Sequence, residues 1–164
     1  MNNRLDVESK FEKVLGIKLL KDLENLTIFK NQHGNYELFN YYIITKIADK
    51  QYQVTTKTSF TTHIFHSLKN AAIWCTYDKR NHFHGSTRII ELDRKLASLE
   101  AKLILHKKLY KNAKDNESKL IYIAKFNEER LQKASIQREL NRYEDESKRW
   151  QLKRLATKPT IYHN

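Results

Sequence analysis

Between Ile89 and Ala113 the residues Ile89, Leu92, Leu96, Leu99, Leu103, His106, Tyr110 and Ala113 fall at alternating steps of three and four. A mostly apolar seam of that period lies along one side of a long helix and is buried by packing on another long helix. Lys114-Asp115-Asn116-Glu117-Ser118 interrupts it. A second helix then runs from about Lys119 to Leu155, with Ile136, Leu140, Tyr143, Ser147 and Trp150 at four–three spacing. A short polar break between two long amphipathic helices predicts an antiparallel helical hairpin, a coiled coil, over residues 86–155.

The chain before it follows other rules. Leu5, Phe11, Val14, Leu15, Leu19, Leu20, Leu23 and Leu26 keep a helical rhythm over residues 4–26, and Asn31-Gln32-His33-Gly34-Asn35 reads as a turn. Three strand-like runs follow: Tyr36 to Ile47, then Tyr52, Val54 and Thr56 in alternation, then Phe60, Thr62 and Ile64. Ser67 is placed to cap a helix whose stripe is Leu68, Ala71, Ala72 and Cys75, ending at Asn81 to Gly85. The expected fold is α+β: a small helix–three-stranded antiparallel meander–helix unit over residues 1–85, the hairpin over 86–155, and a flexible tail over 156–164.

One seam does not bury all the apolar surface. Ile90, Ala97, Ala101, Ile104 and Leu105 fall on the opposite side of the first hairpin helix at about 100° per residue. On the second helix Leu120, Ile123, Ala124, Leu131 and Ala134 share one side, and Tyr122 and Phe126 lie nearer the Ile136–Leu140 side. Burying one large aliphatic side chain is worth about 1.5–3 kcal/mol, so something should cover the second stripe. It is either the chain's own α+β half or another copy or partner. Ile90, Ala97, Ala101, Ile104, Leu105, Tyr122 and Phe126 are the candidate self-association residues.

Charge suggests a second kind of partner. The chain carries 31 basic against 19 acidic residues, a net +12, and most of the excess lies in the helical half. Lys107, Lys108 and Lys111 cluster near the hairpin tip, and Lys148, Arg149, Trp150, Lys153 and Arg154 near its end. These are the candidate nucleic-acid contacts, the cations for phosphates and Trp150 for stacking; Trp150 can equally close the hairpin base against the α+β half. Tyr36, Tyr41, Tyr42 and Tyr52 are further aromatic faces on the meander.

Signals for chemistry are weak. His63 and His66 stand three apart on a strand and point to opposite faces, and Cys75 with His82 and His84 matches no common zinc spacing. Asp78 with His82 or His84 could form an acid–base pair, but no nucleophile or oxyanion donor set accompanies it. Glu128-Glu129 and Glu144-Asp145-Glu146 read as solvated helix charges, His106 as a tolerated seam residue and Cys75 as a buried thiol. With three glycines and one proline, phosphate-cradling loops have little to be made from. No apolar run approaches the roughly eighteen residues of a membrane span. The expectation is a non-enzymatic protein with no cofactor, metal or membrane partner.

The helix–strands–helix order resembles the double-stranded-RNA-binding domain, and Ser67-Leu68-Lys69-Asn70-Ala71-Ala72 is similar to the start of that family's second helix, with Lys69 alone where the family has paired lysines. Ala71-Ala72-Ile73-Trp74-Cys75, Arg88 to Leu99 (RIIELDRKLASL) and His106-Lys107-Lys108-Leu109-Tyr110-Lys111 resemble small uncharacterised proteins of marine T4-like bacteriophages over roughly residues 60–155. That resemblance implies a viral setting, host cytoplasm or virion, and no particular activity. The resulting expectation is a self-associating structural or assembly factor that binds itself or another phage protein; the alternative is a nucleic-acid-binding accessory protein.

Overall fold

A computed structural model describes residues 29–30, 33–59 and 62–156. The helix expected over 4–26, Phe60 and the tail beyond Ala156 lie outside the described residues. The fold is α+β, a small antiparallel sheet followed by a helix and a long antiparallel helical hairpin. The strands are β1 (Phe29–Lys30), β2 (Tyr36–Leu38), β3 (Tyr42–Ala48), β4 (Gln51–Thr56) and β5 (His63–Phe65), paired in sequence order as an antiparallel meander. The helices are α1 (Leu68–Lys79), α2 (Phe83–Asn112) and α3 (Asn116–Ala156).

The meander has five strands where the sequence pattern suggested three. The expected run from Tyr36 to Ile47 is cut by a reversal at Phe39 and Asn40, whose φ values of 57° and 54° are both left-handed. Such turns favour glycine or asparagine; here Phe39 occupies the position and its ring packs edge-on against Tyr42 and Trp150, at centroid distances of 6.2 and 5.6 Å. In β5 the buried residue is Phe65, while Ile64 is exposed.

Helix boundaries follow their caps. The Ser67 hydroxyl accepts the Asn70 amide at 3.1 Å. At the other end of α1, Asn81 takes a left-handed φ of 56°, and the His82 and Asn81 amides donate to the Tyr77 and Asp78 carbonyls, each at 3.0 Å. That pair of bonds is the Schellman arrangement. His82 also opens α2, its Nδ1 accepting the Gly85 amide at 3.1 Å, so α2 starts before the expected Thr87. Asp115 does the same for α3 by accepting the Ser118 amide at 3.0 Å, and this helix also begins earlier than the apolar pattern indicates.

Every residue of α1 from Asn70 to Tyr77 is buried. The sheet covers one side with Leu38, Tyr42, Ile44, Val54 and Phe65, and Ile89 of α2 and half-buried Tyr143 of α3 join the same core. Helix α3 has 41 residues against 30 in α2, and its C-terminal turns return across α1, where Ser147 and Gln151 are buried. The Tyr77 hydroxyl donates to Glu146 at 2.7 Å and Arg80 pairs with the same carboxylate at 3.2 Å.

Gly85 sits where α2 passes Tyr77. A Cβ built there would lie 2.4 Å from Tyr77 Cδ1 and 2.7 Å from His82 Nδ1. Gly85→Ala should therefore destabilise the fold by about 1–3 kcal/mol despite its better helix propensity, read as a lower midpoint in thermal or urea unfolding. An unchanged or raised midpoint would show that the ring has room to move.

Candidate interaction surface on the hairpin

Near the sheet the hairpin seam is apolar. Leu92, Leu96 and Leu140 form a buried cluster with Ile136 and Tyr143 against it, and Leu99 is also buried. The Arg88 guanidinium clamps Glu139 through two bonds of 2.6 and 2.8 Å. That contact is the largest cause holding the Glu139 carboxyl below its usual range. Asp93 is buried, accepting the His66 amide at 2.9 Å and the Asn70 amide group at 2.8 Å; desolvation nonetheless raises its pKa above the ordinary carboxylate value. Glu100 meets the His66 ring, Lys50 at 3.5 Å and Lys133 at 3.6 Å.

Farther out a polar pair enters the seam. His106 Nδ1 lies 2.6 Å from Glu129 Oε1, and Glu129 is only 9% exposed. The reading of Glu129 as a solvated charge is corrected: the helical path returns it to the face of Ile136 and Tyr143, seven and fourteen residues on, a spacing that carried the signal. His106 is a seam residue with a carboxylate partner.

The outer surface of the hairpin carries exposed apolar residues on both sides of the level of this pair. Ile104 is 67% exposed, Leu120 68% and Leu131 73%, with Leu105 and Ile121 about half exposed. Of the candidate self-association residues, Ala101, Ile104 and Leu105 lie on this surface. Ala97 is half-buried, and Ile90 packs against the core of the α+β half. Tyr122 and Phe126 are half-buried, and their spacing from Glu129 puts them on the seam side. Placement of Ile90 on an open outer face is corrected, and Tyr122 and Phe126 lie on the side that periodicity assigns them, too covered to serve as open self-association residues; Leu120, Ile121 and Leu131 are exposed apolar residues of α3.

The basic candidates divide. Lys107, Lys108 and Lys111 are exposed, as are Arg149 and Lys153. Lys148 approaches Glu144 at 3.8 Å. Trp150 packs on Phe39, and the Arg154 guanidinium stands over the Phe39 ring at 5.1 Å, so both help close the hairpin base. Tyr42 is buried with its hydroxyl on Asp78 at 2.5 Å, and Tyr36, Tyr41 and Tyr52 are partly buried against the same core.

The histidines also go to separate tasks. The His63 ring packs tilted against Trp74 with centroids 4.7 Å apart, His66 faces Glu100, His82 caps α2 and His84 is exposed. Asp78, His82 and His84 thus have different engagements. Cys75 is fully buried and burial pushes its thiol pKa up. Among the described residues no group of three His, Cys, Asp or Glu side chains could hold a metal ion, and no helix is long and apolar enough to cross a membrane.

Two outcomes follow from this electrostatic layout. Glu129→Leu alone strands His106 opposite an apolar side chain and should cost roughly 3 kcal/mol, whereas His106→Leu with Glu129→Leu should recover most of the loss, because two leucines restore an apolar layer; paired urea titrations test it, and equal losses in both variants would contradict it. The carboxyls of Glu139 and Glu146 are both lowered from 4.5 by their hydrogen-bonded partners. The unfolded chain then binds protons that the folded one refuses. Their contribution is full above about pH 4.5 and is lost as pH falls through the folded values. Glu139→Gln should therefore flatten the acid limb of a stability–pH curve, and an unaltered limb would refute the assignment.

No known protein family, curated protein or solved structure matches the chain.

Proposed function

We propose that this is a non-enzymatic assembly protein of a bacteriophage that self-associates through the distal half of its hairpin. The observation carrying this reading is the exposed apolar surface of Ile104, Leu105, Leu120 and Leu131 on a two-helix arm whose seam is itself partly polar. A second copy is a suitable cover because it brings the same surface, and a two-fold contact satisfies both copies at once. The phage setting rests on the sequence resemblance of residues 60–155.

Each copy carries a net charge of +12, so association must overcome like-charge repulsion that salt screens over about 10 Å at 0.1 M. Apolar association between such copies strengthens with ionic strength. Light scattering at tens of micromolar should show dimers or larger species whose fraction rises with salt, and Ile104→Glu with Leu131→Glu should return the protein to monomer with its helical content intact. A monomer at every salt concentration would end the proposal.

A second reading has its own observation. Lys107, Lys108, Lys111 and Lys114 are exposed and form no ion pair among the described residues, and no acidic residue occurs between Ala101 and Lys114. The stripe of α2 that carries Asp93 and Glu100 near the sheet carries Lys107 at the next seven-residue step. Such an arm suits a nucleic-acid backbone, whose binding weakens as salt rises, the opposite sign from self-association.

A further inference from the structure

On one flank of the hairpin, α2 and α3 enclose a groove of about 430 Å³ lined by Lys95, Ser98, Leu99, Lys102, Gln132, Ser135 and Ile136. Five of these side chains can donate hydrogen bonds, and no carboxylate is among the lining residues. Lys95, Ser98, Lys102, Gln132 and Ser135 make no side-chain hydrogen bond or ion pair with any described residue. Lys95 contributes only a distant coulombic effect on Glu139. Elsewhere near the sheet several charges are matched: Arg88 holds Glu139, and Lys133 and Lys50 hold Glu100. In this groove two lysines and three neutral donors surround an apolar floor.

We infer that the groove binds a phosphorylated organic ligand, with Lys95 and Lys102 neutralising the phosphate and Ser98, Gln132 and Ser135 donating to its oxygens. Lysines at i and i+7 stand on the same face of α2, two turns apart, with Ser98 between them. The opposite rim supplies an amide and a second hydroxyl. A tetrahedral dianion accepts hydrogen bonds from all sides, so it uses donors on both rims, whereas a carboxylate presents two oxygens in one plane. The floor is Leu99 and Ile136, one buried and one half-buried. The volume exceeds what a bare phosphate fills and falls within the ordinary range of ligand pockets. An apolar floor beneath cationic rims therefore fits a phosphate attached to a flat or apolar body, of which a nucleotide is the simplest case. The site is independent of whether copies associate, and none of its residues belongs to the tip lysines of the second reading.

The same chemistry can come from a free nucleotide or from the backbone of a nucleic acid, and titration separates them. Adenosine diphosphate and a twenty-nucleotide single strand are titrated separately into the full chain, with calorimetry for affinity and amide chemical shifts for location. The expected result is binding of at least one probe, with shifts at Lys95, Ser98, Lys102, Gln132 and Ser135. Lys95→Gln with Lys102→Gln should weaken it at least about tenfold, the loss expected for charge-assisted bonds. Ser98→Glu, which sets a carboxylate among the donors, should abolish it. Diphosphate binding lost in these variants identifies a free-nucleotide site; strand binding alone, lost in the same variants, identifies a backbone-phosphate site. All the substitutions are on exposed positions, and circular dichroism checks that each variant is folded. Binding of neither probe, or binding of either that the variants leave unchanged while no other probe binding is lost in them, overturns the inference.

Discussion

Helix α1 is buried on every side, and this burial organises the molecule. A helix whose residues from Asn70 to Tyr77 are all inaccessible needs two covers, because a small sheet can shield only one face. The sheet supplies Tyr42, Ile44 and Phe65; the hairpin must supply the rest. It can do so because α3 is longer than α2 and returns across α1 after the reversal. Glu146 then receives both Tyr77 and Arg80, and two buried polar side chains of α1 find partners, Asn70 on Asp93 and Thr76 on the Ala72 carbonyl. The hairpin is in this sense a wall of the core as well as an arm.

How much of this was legible follows from the kind of signal each element gives. The seam from Ile89 to Leu103 states its own period, and the reversal at Asp115 is a capping residue next to a break in that period. The Ser67 cap was readable for the same reason. The two-residue turn at Phe39-Asn40 was not: its left-handed geometry is bought by aromatic packing from Trp150, more than a hundred residues away, and no local pattern announces that. Ile64 and Phe65 are adjacent apolar residues, so alternation alone could not decide which one faces inward. Glu129 was misread because a carboxylate beside another carboxylate suggests water, although its spacing from Ile136 placed it in the seam.

The candidate surface was partly legible in the same way. Helical periodicity identified Ala101, Ile104 and Leu105 as an outward face, and they are exposed. It could not show that Ile90, on the same stripe, would be taken up by the α+β core, because that depends on how far the core reaches along α2. Nor could it separate the cations that close the hairpin base from those left in solvent. Trp150 and Arg154 are drawn inward by the Phe39 ring, a contact set by the unusual turn rather than by their own neighbourhood.

The change of character along the hairpin links these observations. Toward the sheet the arm has buried leucines and several matched ion pairs; farther out a His–Glu pair shares the seam side with half-buried Leu103, Tyr122 and Phe126, while Ile104, Leu105, Leu120 and Leu131 are exposed. A buried polar pair contributes little net stability compared with an apolar layer, but a shift that put either group against a leucine would leave it without its partner. A slip of the distal arm would separate His106 from Glu129. That constraint gives the exposed Ile104, Leu105, Leu120 and Leu131 a defined arrangement. A defined arrangement is the property of a preorganised surface, whose ordering cost is met before contact. A polar pair in the seam is thus compatible with the exposed Ile104 and Leu131 in a way that a fully leucine seam would not require.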